Sequence, residues 1–144
     1  MHRNKPVRVL VVDDSPSSLE DLCAFLKTLD GIEVVGTARN GFELTKEAET
    51  LRPDLVITDL HAPRLSGLEC TMRLRQMMPE TRFIIFSDLD APFTKEESAA
   101  SVADFYFYKE HMTEKAAMAI RHLFPDLAQR EPALPNTAKE EISC

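Results

Sequence analysis

Val7-Arg8-Val9-Leu10-Val11-Val12 followed by Asp13-Asp14 is an apolar run, broken only by Arg8, that ends on paired carboxylates. A short run of this kind reads as a strand buried on both faces. The same construction recurs. Leu55-Val56-Ile57-Thr58 ends on Asp59, Phe83-Ile84-Ile85-Phe86 on Ser87, and Phe105-Tyr106-Phe107-Tyr108 on Lys109. In an open parallel sheet, ligands bind beyond the carboxyl ends of the strands. The pattern therefore predicts one site that gathers Asp13, Asp14, Asp59, Ser87 and Lys109.

Helical periodicity fills the intervals between these runs. The spacing predicts a helix over about 16–29, with Ser15 as N-cap and Pro16 in the first helical position; Ser17 with Glu20 is a competing capping box. Its apolar face is Leu19, Leu22, Cys23, Leu26 and Leu29. Asp30-Gly31 turns the chain into a strand over 33–38, which Asn40-Gly41 breaks. A helix over 42–51 places Leu44, Ala48 and Leu51 together. After a strand over 54–58, a helix over 66–78 is expected to present Leu68, Met72, Arg75 and Met78, and Pro79 stops it. A strand over 82–86, a weaker helix over 94–102, a strand over 104–108 and a helix over 113–124 complete the series. The last of these buries Ala116, Ile120 and Leu123. Strands alternating with helices imply an α/β fold: a doubly wound, five-stranded parallel sheet between two helical layers.

The 144 residues suit one domain, with residues 1–6 as an N-terminal extension, 7–124 as the domain and 125–144 as a mobile tail or short added helix. Twenty residues are too few for a second domain. No apolar stretch approaches the ~20 residues of a membrane helix, and no signal region follows the basic start, so a cytoplasmic location without membrane attachment is expected. A net charge of −7 argues against direct nucleic-acid binding. Cys23, Cys70 and Cys144 show no metal-type spacing, and Cys23 and Cys70 fall in helical patterns where they pack.

Three converging carboxylates repel one another. Two like charges ~4 Å apart cost about 4 kcal/mol at an effective dielectric near 20, and one lysine does not balance three carboxylates. A divalent cation does. Hard oxygen ligands favour Mg²⁺, with Mn²⁺ as a substitute, over zinc. Such a cation shares phosphate oxygens, which points to phosphoryl chemistry with Asp59 as nucleophile and Lys109 and Ser87 completing the cradle. Each residue also has a plainer reading: Asp13-Asp14 as helix-start charges, Asp59 and Ser87 as loop residues, Lys109 as a surface cation. Their coincidence at successive strand ends favours the chemical one.

With these residues in place, about 7–124 resembles the receiver domain of response regulators in bacterial two-component signalling, a flavodoxin-like (βα)5 three-layer sandwich of the CheY type. The matching features are the acidic pair after the first strand, Asp59 after the third, Pro63 and Gly67 in the loop beyond, Ser87, and Lys109 with Tyr106 before it. Gly31-Ile32-Glu33-Val34-Val35-Gly36 also looks like receivers joined to LuxR-type DNA-binding domains, and none is expected in this length. The resemblance implies that Asp59 accepts phosphate from a sensor histidine kinase or phosphotransfer protein. It implies that Asp14 and Asp59 ligate Mg²⁺ directly, Asp13 through water, and His61 through its backbone carbonyl. Ser87 would bond the phosphoryl group and Tyr106 would swing inward with it. The output would be partner binding, or a weak phosphorylation-dependent dimer, on the face formed by residues 94–102, 104–108 and 113–124. The protein target stays open. On this reading the chain is a phosphoacceptor, not an enzyme.

Some positions depart from the family pattern: Ala62 before Pro63, Asp88 after Ser87, Val102 before Ala103, and Glu110 where a proline often follows the lysine. A cis Lys109–Glu110 bond would cost about 3 kcal/mol, so a trans bond or a strained loop is expected. Two rivals remain: a pseudo-receiver that binds partners without phosphorylation, and a haloacid-dehalogenase-type phosphatase. The first gains no support, because no site carboxylate and no lysine is lost. The second needs an aspartate two residues after the nucleophile, where this chain has His61.

Overall fold

In the computed structural model, which describes residues 5–59, 67–87 and 103–130, β1 (Val7–Val12) runs through the middle of the core. The order continues α1 (Pro16–Lys27), β2 (Ile32–Ala38), α2 (Gly41–Leu51), β3 (Leu55–Asp59), α3 (Gly67–Met77), β4 (Arg82–Ser87), β5 (Phe105–Tyr108), α4 (Met112–Leu123) and α5 (Pro125–Arg130). The strands form one parallel sheet in the order β2-β1-β3-β4-β5. The helix expected over 94–102 lies outside the described residues.

Alternation along β1 explains the layers. Val7, Val9 and Val11 face a cluster with Leu22 and Leu26 of α1 and Ala116 and Ile120 of α4. Leu10 and Val12 face the other way, onto Leu44 and Ala48 of α2 and Cys70 and Leu74 of α3. Both faces are covered, which is why the strand sequence is continuously apolar rather than alternating. α5 adds Leu127 to the first cluster; residues 131–144 lie outside the description.

The starts of α1 and α2 follow local chemistry. Ser15 is the N-cap of α1 and its side chain accepts from Ser18 N–H, so the competing start at Ser17 is not used. Asn40 caps α2: its Oδ1 accepts from Glu43 N–H at 2.9 Å, while the Glu43 carboxylate accepts from Arg39 N–H at 2.8 Å. The helix is thus closed at its start from both directions. Asn40→Ala is expected to cost about 1 kcal/mol in urea-induced unfolding. An unchanged midpoint would show that the cap contributes nothing.

α3 corrects one expectation. The buried residues are Cys70, Thr71, Leu74 and Met78, whereas Met72 is 41% exposed and Arg75 is half-buried. Apolar residues occupy two stripes of this helix, and periodicity alone does not choose between them. The guanidinium of Arg75 reaches away to the Thr81 carbonyl and the Asp104 carboxylate.

β1 and β2 pair with a register shift between Val9 and Leu10, so that Val9 faces Val34 and Leu10 faces Gly36. Gly36 allows the Leu51 side chain close: a Cβ there would stand 2.7 Å from Leu51 Cδ1. This pins the end of α2 onto the edge strand.

Candidate functional site

Strand register brings the sequence-predicted residues to one edge of the sheet. Val12 pairs with Thr58, so Asp13 and Asp59 are the next residues on adjacent strands. Adjacent strands lie ~4.8 Å apart, which places the two backbones side by side. Asp59 in turn pairs with Phe86, and Ser87 follows it. Ser87 pairs with Tyr108, and the Lys109 N–H donates to the Ser87 carbonyl at 3.0 Å. The sequence order β1, β3, β4, β5 is therefore also the spatial order of the ends that carry Asp13, Asp59, Ser87 and Lys109.

The burial of these residues differs sharply. Asp13 is 2% exposed and Ser87 is fully buried, whereas Asp14 is exposed and Lys109 half-buried. The Asp13 N–H donates to the Ala38 carbonyl at 3.0 Å, and its Oδ1 accepts from Ser15 N–H at 3.0 Å. The Asp13 side chain is thereby held at the turn into α1, while the Asp14 carboxylate stands toward solvent. The Asp59 side chain, His61, Ala62, Pro63, Asp88 and Val102 lie outside the described residues. Among the described residues no group of three or more His, Cys, Asp or Glu side chains converges.

Beyond Lys109, no cis peptide bond occurs among the described residues, and the chain turns through His111 at φ 56°. Left-handed backbone at a non-glycine residue is uncommon and costs energy, so the departure at Glu110 is met by a trans bond and a tight loop. His111 Nδ1 lies 3.0 Å from the Glu114 carboxylate, with both side chains exposed.

β5 divides its aromatic residues between the two faces. Phe105 and Phe107 stack at 5.5 Å and lie against the core cluster shared with α1 and α4. Tyr106 and Tyr108 alternate to the opposite face, the one that also carries Ser87. Tyr108 is 36% exposed, while the Tyr106 hydroxyl is buried and has no hydrogen-bond partner among the described residues. The Lys115 ammonium sits 5.8 Å above the Phe107 ring and donates to the Tyr108 carbonyl at 3.2 Å, tying α4 to the strand. This contact left no sequence signal, since a lysine on a helix reads as a solvated charge.

Cys23 and Cys70 are free thiols: Cys70 is buried, and burial pushes the Cys23 thiol up, with nearby Lys27 opposing. No helix of the described residues is long and apolar enough to cross a membrane.

Comparison with known proteins agrees with this geometry. The response regulator receiver domain model matches residues 9–121. The chain is 33% identical over 132 residues to the response regulator GacA of Pseudomonas viridiflava, covering 86% of this chain and 61% of that protein. It is 39% identical over 87 residues to protein-glutamate methylesterase/protein-glutamine glutaminase 4 of Myxococcus xanthus, covering 60% of this chain but only 24% of that one. The chain thus spans between a quarter and about three-fifths of these relatives. Among solved structures, the response regulator domain of Thermotoga maritima CheB superposes with a TM-score of 0.72 at 27% identity, covering 84% of this chain and 98% of that one. By sequence, topology and the placement of its strand-end residues, the chain belongs to the response regulator receiver domain family.

Proposed function

We propose that this receiver accepts a phosphoryl group on Asp59 from a sensor histidine kinase or phosphotransfer protein, in a reaction that requires Mg²⁺ or Mn²⁺. The observation that carries the reading is the register that sets Asp13 beside Asp59 and ties Lys109 to Ser87 at the same sheet edge. The donor set fits a hard divalent ion: the Asp13, Asp14 and Asp59 carboxylates with the His61 backbone carbonyl. A cation held there would offset the repulsion between the buried Asp13 carboxylate and the acidic strand end beside it. When bound, the metal offsets the charge of the carboxylates and of the phosphoryl oxygens.

The chain's own residues supply the remainder. An Asp59 carboxylate oxygen forms the new bond to phosphorus as the donor's bond to phosphorus breaks, and the donor leaves with that electron pair. The Lys109 ammonium and the Ser87 hydroxyl hold phosphoryl oxygens in place. Ser87 and Tyr106 share a face, so a shift of Ser87 toward the phosphoryl group opens space for the Tyr106 ring. Among the described residues the buried Tyr106 hydroxyl has no partner, and the ring's move would let it find one. The output face is then residues 94–102, β5 and α4, read by a protein target or by a second copy in a weak phosphorylation-dependent dimer. On this reading the chain acts in the cytoplasm as a phosphoacceptor, without enzymatic turnover of another substrate and without direct nucleic-acid or membrane contact.

Metal binding gives the direct test. At Mg²⁺ tenfold above Kd the folded state gains about 1.4 kcal/mol by mass action. For a domain of this size that raises Tm by about 4 °C. Beryllofluoride added with Mg²⁺ should raise it further. Identical melting in EDTA, Mg²⁺ and Mg²⁺ with beryllofluoride would remove the basis for the phosphoacceptor reading.

A further inference from the structure

α2 displays one aromatic ring to solvent at the rim of the carboxylate edge. Phe42 is the most exposed large apolar side chain among the described residues, at 64% against 49% for Met77. Its place follows from how α2 is held. Leu44 and Ala48 fix the side of the helix that meets the sheet, and Phe42, two positions before Leu44, is turned about 200° from it. The Asn40 cap and the bond from Arg39 N–H to the Glu43 carboxylate close the first turn, so the ring stands on a rigid support. Cα–Cβ bonds in a helix tilt toward its N-terminus. Phe42 is the second residue of α2, so its side chain leaves the helix toward the carboxylate edge.

Strand register sets the distance to the phosphoacceptor. Ala38 pairs with Val12 and Val12 with Thr58, so Arg39, Asp13 and Asp59 are level on neighbouring strands. Two strand spacings, about 10 Å, separate the end of β2 from Asp59, and Phe42 follows in the first turn beyond. A small phosphodonor seated on Asp59 does not span that gap. A protein donor does: a standard interface covers about 800 Å² of each partner, a disc of about 16 Å radius. Centred on Asp59, such a disc takes in the end of β2 and the start of α2. Aromatic rings are enriched at the centres of interfaces, where they fill apolar pockets. We propose that Phe42 is a docking anchor for the protein that delivers the phosphoryl group, and that it packs into an apolar recess beside that protein's phosphohistidine. Resting on the phosphoacceptor reading of Asp59, this contact is one that no small donor makes. Phe42 touches no reacting atom, so it acts on KM for the protein donor and not on the transfer step.

Two donors are compared on the full chain with Mg²⁺: acetyl phosphate, and a purified kinase or phosphotransfer domain carrying radiolabelled phosphohistidine. The protein donor is the one that phosphorylates wild type fastest among those encoded in the same genome. Phe42→Ala should raise KM for the protein donor about tenfold or more. Transfer at saturating donor, the rate with acetyl phosphate and the melting temperature should stay as in wild type. Phe42→Tyr, which keeps the ring, should stay close to wild type. Glu49→Ala, exposed two turns further along α2, should match wild type with both donors. An unchanged KM in Phe42→Ala overturns the proposal. So does an equal slowing with both donors, or a wild type that takes phosphate from acetyl phosphate and from no protein donor. Transfer that persists in Asp59→Asn overturns the phosphoacceptor reading and this contact with it, whereas the other outcomes leave that reading standing.

Discussion

Asp59→Asn is expected to lose phosphorylation by acetyl phosphate and Mg²⁺, with the rate falling by about 10³-fold or more, which corresponds to about 4 kcal/mol in the barrier. A carboxamide of the same shape has no anionic oxygen to attack phosphorus. The loss should not come from unfolding. Asp13 and Asp59 occupy adjacent strand ends, so removing one charge relieves repulsion, and Tm should stay level or rise. The measurement is intact mass after incubation, with hydroxylamine treatment to cleave an acyl phosphate. Wild type should gain a hydroxylamine-labile phosphoryl group, and the variant should gain none. A variant that is phosphorylated as fast as wild type would move the acceptor to another residue. Lys109→Ala belongs beside it as a control: it removes the cation whose backbone N–H meets the Ser87 carbonyl, so phosphorylation should slow while metal-dependent stabilisation persists.

That the strand-end residues were legible in the sequence follows from how this sheet is built. β1, β3 and β4 are covered on both faces, so each appears as a mainly apolar run, and the residue at which the run stops is the residue at the candidate-site edge. Val12 and Thr58 pair, and the aspartates that follow them stand together. The same logic failed in α3, where Met72 was expected inside but Cys70, Leu74 and Met78 form the buried stripe, while the Leu68 side chain lies outside the described residues. That stripe is buried because Leu10, Val12 and Val56 of the sheet meet it. That choice is made by tertiary contact and leaves no periodic trace. Asn40 was legible only as a break. Its capping of Glu43, and the return bond from Glu43 to Arg39, follow the N-cap pattern three residues apart, so a signal was there to be read. The place of Gly36 under Leu51 depends on how closely α2 lies on β2, which sequence spacing does not report. Arg75 was the least legible, because its partner is 29 residues away.

Asp104→Ala is expected to cost about 2–3 kcal/mol, because the Asp104 carboxylate joins three elements. Oδ2 accepts from Phe83 N–H at 2.8 Å and from Arg75 of α3 at 3.1 Å, and Oδ1 lies 3.4 Å from Arg82 of β4. The side chain is only 13% exposed, while Arg75 and Arg82 are 32% and 46% exposed. The Arg82 contact is rim-like and contributes about 0–1 kcal/mol. The weight falls on the backbone bond and on Arg75: a hydrogen bond to a charged group is worth about 1.5–3 kcal/mol, and Phe83 N–H would be left without its acceptor. Arg75 also bonds the Thr81 carbonyl and lies 5.9 Å over the Phe83 ring, so its release loosens the α3–β4 turn. At about 3–4 °C per kcal/mol, Tm should fall by about 6–12 °C. Asp104→Asn should fall roughly half as far, since its carbonyl still accepts from Phe83 N–H but no longer draws in the guanidinium groups by charge. Asp104 also sets where β5 begins, since its N–H donates to the Phe83 carbonyl at 2.8 Å. Loosening there should reach Tyr106 in the same four-residue strand and Lys109 just beyond its end, with faster amide exchange along β5 than along β1. Wild-type melting in Asp104→Ala would mean that core burial alone holds the edge strand and that the carboxylate adds nothing to it.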